Sequence, residues 1–154
     1  KFGNSFEPLP CVKRKGFVKN SSCISSLQSF VKDECSKAKW SINEMNQVVN
    51  AYWTAISRRC PKAISYWRSN VDKNKEYYHL RTTMGVYTLN ALLAQIVTRT
   101  EIDKDADNWE TVLSSADEYF RDEFWLAGNS NGCGRYGTSM GSFNNLMNDI
   151  LRKL

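Results

Sequence analysis

Trp40-Ser41-Ile42-Asn43-Glu44-Met45-Asn46-Gln47-Val48-Val49-Asn50-Ala51-Tyr52-Trp53-Thr54-Ala55-Ile56, residues 40–56, is the stretch whose reading decides the fold. Ser41 and Glu44 stand three apart. At that spacing a serine hydroxyl accepts from the third helical N–H while the glutamate reaches back to the cap N–H. Trp40 and Met45 hold the two positions where a hydrophobic staple closes around such a cap. From there Ile42, Met45, Val48, Val49, Tyr52, Trp53 and Ile56 recur at spacings of three and four, which draws one apolar stripe along a helix. The pattern predicts a helix with that stripe inward. Pro61 ends it near Arg59 and can itself open a short helix carrying Ile64 and Trp67.

The same period continues on both sides. Towards the N-terminus, Cys23, Ile24, Leu27, Phe30, Val31, Cys35 and Ala38 form a second stripe and predict a helix over 22–37. Beyond the break at Asp72-Lys73-Asn74, a long helix is expected over 75–99. It is apolar on nearly every side between Met84 and Val97, as a central helix packed by several neighbours would be. Asp107 and Glu110 repeat the cap pattern and open a helix with Trp109, Val112, Leu113, Ala116, Phe120 and Phe124 inward, ending at Gly128. A last helix over 139–153 is expected to bury Met140, Phe143, Met147, Ile150 and Leu151. No window alternates with period two, so no sheet is expected. The fold class is all-α: a disulfide-stabilised helical bundle of five or six helices, one domain over 1–154. An irregular arm spans 1–20, and a glycine-rich loop spans 129–138.

Composition excludes several classes. With 154 residues, 42% hydrophobic and 24% charged, the chain holds one domain's core and is not a disordered segment. Its longest charge-free helical run, residues 82–98, is 17 residues and is interrupted by Asn90, Gln95 and four threonines. That falls short of the ~20 apolar residues that span a bilayer, so an integral membrane protein is not expected. Few glycines and prolines and no repeat exclude collagen-like and solenoid chains.

Five cysteines and the acceptor sequon Asn20-Ser21-Ser22 point to an oxidising, secreted setting with Asn20 glycosylated. The alternative is an intracellular chain with buried thiols. The start at Lys1 without a leader fits the expectation of a mature chain whose signal peptide has been removed. Cys23 and Cys35 lie on one helix at ~18 Å and cannot bond each other. If successive helices alternate direction, Cys11, Cys23, Cys60 and Cys133 gather at one end, where two disulfides are expected, and Cys35 stays a free thiol at the other. A zinc site on the same cysteines is disfavoured because no C-x₂₋₄-C pair nucleates it.

Charge is uneven. The net charge of +5 divides into +8 over residues 1–80 and −3 over 81–154. Arg58 and Arg59 in the basic half are candidate contacts to a protein or other acidic partner. No run of five basic residues occurs, and no basic-aromatic pattern marks dedicated nucleic-acid binding.

The chemical motifs lack their contexts. Residues 132–137 match GxGxxG but follow a helix where a dinucleotide site needs a strand. Asp103, Asp105 and Asp107 alternate as in a calcium loop, yet Asn108 and Ser114 stand where glycine and a bidentate glutamate are needed. They read as an acidic first turn complementing a helix dipole. His79, the only histidine, could serve Cys133 as a base, but a disulfide would consume that thiol. Glu118 and Asp122 lie one turn apart and could act in acid–base catalysis only within a cleft. Adjacent aromatic pairs, Tyr52/Trp53, Tyr66/Trp67, Tyr77/Tyr78 and Phe124/Trp125, are expected to place one ring in the core and the other at a rim, groove or interface. With no cofactor or catalytic motif in context, the sequence reads as a secreted binding or effector protein that engages a partner through its surface. The alternatives are a carrier of a small apolar ligand among aromatic helices, and a small hydrolase using carboxylates.

Overall fold

A computed structural model describes residues 24–35, 39–65, 77–97 and 106–154. Among these residues the secondary structure is helical. No strand forms beyond an isolated antiparallel bridge between Tyr78 and Leu126.

Helix α1, Ile42–Arg59, forms where the capping box places it. Ser41 N donates to Glu44 Oε2 at 2.8 Å, and Glu44 N donates to Ser41 Oγ at 3.3 Å, so two N–H groups at the helix start are satisfied reciprocally. A short helix α2, Pro61–Ser65, begins at the proline as expected. Its start is capped from a distance: the Asp122 carboxylate accepts from Lys62 N at 3.2 Å and Ala63 N at 2.7 Å.

Helix α3, Thr83–Val97, starts later than periodicity predicts. Residues 77–82 are drawn into other bonds. Ala127 N donates to Tyr77 O at 2.6 Å, His79 N donates to Trp125 O at 2.8 Å, and Thr82 closes a turn on His79 O. Long-range backbone pairing outweighs local helix propensity there.

The helix expected from Asp107 to Gly128 is divided into α4, Ala106–Ser114, a 3₁₀ turn over Asp117–Tyr119, and α5, Asp122–Trp125. One long-range and one local demand break it. Asp122 turns to cap α2, and the Trp125 indole donates to Tyr119 O at 3.0 Å. The helix ends at Trp125, with Leu126 extended as its C-cap, three residues before the expected stop; Gly128, at φ +84°, takes the left-handed conformation in the turn that follows. Helix α6, Met140–Leu151, is capped by Ser139, whose Oγ accepts from Ser142 N at 3.1 Å.

Helix α3 lies at the centre, packed chiefly against α6 and also against the π-helical segment Phe30–Cys35, while α1 packs on α4 and α2 on α5. The largest fully buried side chains are Trp53, Trp109, Trp125 and Tyr52. Each such ring removes ~150–250 Å² from water and dominates the core's apolar burial. The expectation that one ring of each adjacent pair stays peripheral holds for Tyr77, half-buried beside buried Tyr78, and is overturned at two other pairs. Tyr52 and Trp53 are both fully buried, as are Phe124 and Trp125 nearly so. Helix α1 is covered on two sides: Tyr52 packs edge-on to Trp109 of α4 at 4.9 Å and donates to Leu89 O of α3 at 2.8 Å, while Trp53 Nε1 donates to Asn90 Oδ1 of α3 at 3.1 Å. Tyr66 and Trp67 lie outside the described residues.

Among the described residues no disulfide is present, and Cys60 and Cys133 are buried free thiols. Cys11 and Cys23, the sequon at Asn20 and the arm 1–20 lie outside them. Cys35 closes the π-helical segment, and its side chain is outside what is described.

Candidate functional site

Two apolar stripes that the sequence aims at the core fail to close on each other. Along α1 the inward face is buried from Val48 to Ile56, but Met45 is half-buried and Ile42, at the first helical position, is 76% exposed. On segment 24–35, Phe30 is buried and Leu27 half-buried, whereas Ile24 is 65% and Val31 44% exposed. The space between is an apolar groove of about 280 Å³ lined by Leu27, Phe30, Val31, Ile42, Met45, Asn46 and Val49. Asn46 supplies the polar side chain of that lining.

The groove's walls carry unusual backbone. Phe30–Cys35 is π-helical, a conformation rare in folded proteins and frequent at functional sites. Lys39, just before the capping box, is the positive-φ non-glycine residue among those described, at φ 55°. It turns the chain so that Trp40 presents its ring edge-on to Phe30 at 6.2 Å. A π-helical turn shifts the register of its side chains relative to an α-helix, so Val31 leaves the buried stripe that a 3.6-residue period assigns it.

A buried polar link holds the segment in place. Asn90 on α3 accepts from the Trp53 indole and donates through Nδ2 to Ser26 Oγ at 2.7 Å. Asn90 is 1% exposed, so this chain of bonds fixes the segment against the centre of the bundle.

The remaining expected site residues have other partners. Arg58 pairs with Asp107 at 2.6 Å and Glu110 at 2.8 Å, and Arg59 bonds to the Asp117 carboxylate. The basic and acidic halves of the sequence therefore meet at the α1–α4 packing. Asp117 also accepts from Arg121 Nε at 2.7 Å, and that bond, ahead of the surrounding guanidinium charges, holds its carboxyl below the usual carboxylate range. Glu118 faces Lys153 at 3.4 Å, while Asp122 is the α2 cap, so these two carboxylates serve different parts of the fold. Asp103 and Asp105 lie outside the described residues, and among those described no group of three or more His, Cys, Asp or Glu could hold a metal ion.

Burial alone lowers the pKa of half-buried His79, whose ring meets Tyr77 edge-on at 4.9 Å. Burial pushes the Cys133 thiol up to about 11. Cys60 is raised further, by burial first and then by the Asp122 charge. A nucleophilic thiol needs the opposite shift, so neither is set up for catalysis. In the glycine-rich loop, an added Cβ at Gly132 would lie 2.4 Å from Phe124 O. The glycine is there to let the loop lie on α5.

Comparison with known proteins finds no family model, curated protein or solved structure that matches the chain.

The sequence missed this groove because periodicity reports which residues share a face and not how far the opposing face extends. A signal was present: the α1 stripe begins at the first helical residue, directly after the Ser41 cap, where the end of a helix leaves an apolar side chain least covered.

Proposed function

We propose that the protein is a secreted helical binding module that engages a partner through the apolar groove between segment 24–35 and the first two turns of α1. The carrying observation is that Ile42 and Val31 are exposed on the rim of an apolar concavity, in a molecule whose other stripes are largely buried. Clustered exposed apolar side chains around a groove favour an interaction site over chance surface exposure. A carrier pocket encloses most of its ligand in ~300–1,000 Å³, whereas this groove is smaller and open, which favours a partner's side chains over an enclosed small molecule. Glu118 and Asp122 are engaged by Lys153 and by the start of α2, and burial raises the Cys133 thiol pKa, which supports binding without chemistry.

The secreted setting is supported by the five cysteines and by the sequon at Asn20. Cys60 and Cys133 are free thiols in this structure; the proposed oxidised chain forms two disulfides among Cys11, Cys23, Cys60 and Cys133 and keeps Cys35 as the free thiol. Non-reducing peptide mapping reads this out, and label on Cys11 or Cys133 would refute it.

The groove reading is tested with anilinonaphthalene sulfonate fluorescence on the native chain and on Ile42→Glu and Val31→Glu. The parent is expected to enhance the dye, and both variants to lose the enhancement at an unchanged thermal midpoint. Equal enhancement in parent and variants would refute the reading.

A further inference from the structure

Resting on the groove reading above, we propose that the groove takes an amphipathic helix of a partner protein, with apolar residues on one face and acidic residues flanking them. Dimensions argue for a helix. The α1 wall runs from Ile42 to Val49, seven steps along the helix and ~10 Å at 1.5 Å per residue, the span between positions i and i+7 of a docking helix. Leu27 and Val31 line the opposite wall one turn apart, which places recesses at i+3 or i+4 between those anchors. A concave apolar floor accepts inserted side chains, whereas a membrane-inserting surface protrudes.

Charge argues for acidic flanks. Lys32 adjoins Val31 and Lys39 adjoins Trp40; both are exposed, and neither makes an ion pair among the described residues. By contrast, Arg58, Arg59, Arg121 and Arg152 are all paired with carboxylates of the same chain. Glu44, the acidic residue on the α1 side of the groove, keeps its charge but is held back against Ser41 N and Oγ within the capping box. Asp33 and Glu34 follow Lys32 in the chain, with side chains outside what is described. The rim thus offers an incoming acidic partner two exposed lysines that make no ion pair among the described residues, which steers encounter and selects against basic segments.

The test uses fluorescence anisotropy of two labelled synthetic helices titrated with the full chain. Both carry leucines at i, i+4 and i+7, one with glutamates on the other faces and the other with lysines. The acidic helix is expected to bind about tenfold or more tightly than its basic twin at low salt, with the gap narrowing as ionic strength rises. Ile42→Glu, which is exposed enough to leave folding intact, should weaken binding of the acidic helix about tenfold or more at an unchanged thermal midpoint. Lys32→Glu combined with Lys39→Asn should abolish the preference between the twins, asparagine being chosen because it tolerates φ 55°. Equal or tighter binding of the basic twin, still sensitive to Ile42→Glu, would overturn the acidic partner and leave the groove reading standing. Failure of both helices, together with dye enhancement indifferent to Ile42→Glu, would sink both. Ile42-dependent dimerisation in sedimentation, or Ile42-dependent binding to vesicles of phosphatidylcholine and phosphatidylserine, would overturn the proposal in favour of a second copy or a membrane.

Discussion

Replacing Asn90 by leucine removes the polar link between α3, α1 and the groove wall while nearly preserving side-chain volume. Trp53 is fully buried, so its indole N–H loses its acceptor with no water to replace it, at a cost of about 1–3 kcal/mol. The lost bond to Ser26 Oγ adds about 1 kcal/mol. Leucine's extra apolar contact offsets about 1 kcal/mol, leaving a net loss of about 1–3 kcal/mol. With a urea slope of about 1–3 kcal/mol per molar, the unfolding midpoint should fall by about 1 M. Hydrogen exchange adds a spatial readout: protection should drop first in segment 24–35, whose buried polar tether is cut, before it drops in α3 or α6. Ser26→Ala should show the same local loss with a smaller global one, because the indole keeps its acceptor. A midpoint unchanged or raised by Asn90→Leu, with protection of segment 24–35 retained, would refute the claim that this link holds the wall of the groove.

Asp122→Ala should destabilise by about 1–2 kcal/mol through loss of the two N–H acceptors at the start of α2, and Asp122→Asn by less, both read from denaturant midpoints. Gly132→Ala sets a Cβ against a backbone carbonyl that cannot yield, so it should lower the thermal midpoint well beyond an alanine placed at exposed Ser130. His79 has a folded-state pKa below its unfolded value of ~6.5, so below that pH the unfolded chain takes up a proton that the folded chain resists. Stability contributed by neutral His79 is therefore present above pH ~6.5 and lost as pH falls towards the folded pKa, and His79→Gln should flatten the stability profile over that interval.

Local chemistry made the starts of helices legible. Ser41 with Glu44 and Ser139 cap where their side-chain chemistry places them, because each of these caps is decided within four residues, and Pro61 opens its helix by its own fixed φ. Long-range competition was not legible. Asp122 sits in a run that reads as continuous helix, and only a partner sixty residues away diverts it. Residues 77–82 give up helix to pair with 125–127 for the same reason. The groove falls between these cases. Its lining residues were all assigned to apolar stripes except Asn46, but the π-helical register of Phe30–Cys35 and the left-handed turn at Lys39 set how much of each stripe stays open, and neither is written in a hydrophobic period. Met140, assigned to the buried face of the last helix and found 51% exposed, repeats the lesson at another helix start.

The central claim, that this groove is where the protein meets its partner, is tested most directly by methyl-resolved NMR of the native chain during titration with the acidic amphipathic helix. The account expects saturable shifts confined to the methyls of Leu27, Val31, Ile42, Met45 and Val49, with Met140, Leu146 and Ile150 of α6 unmoved. Shifts centred on α6, or spread evenly over the methyls of the chain, would contradict it.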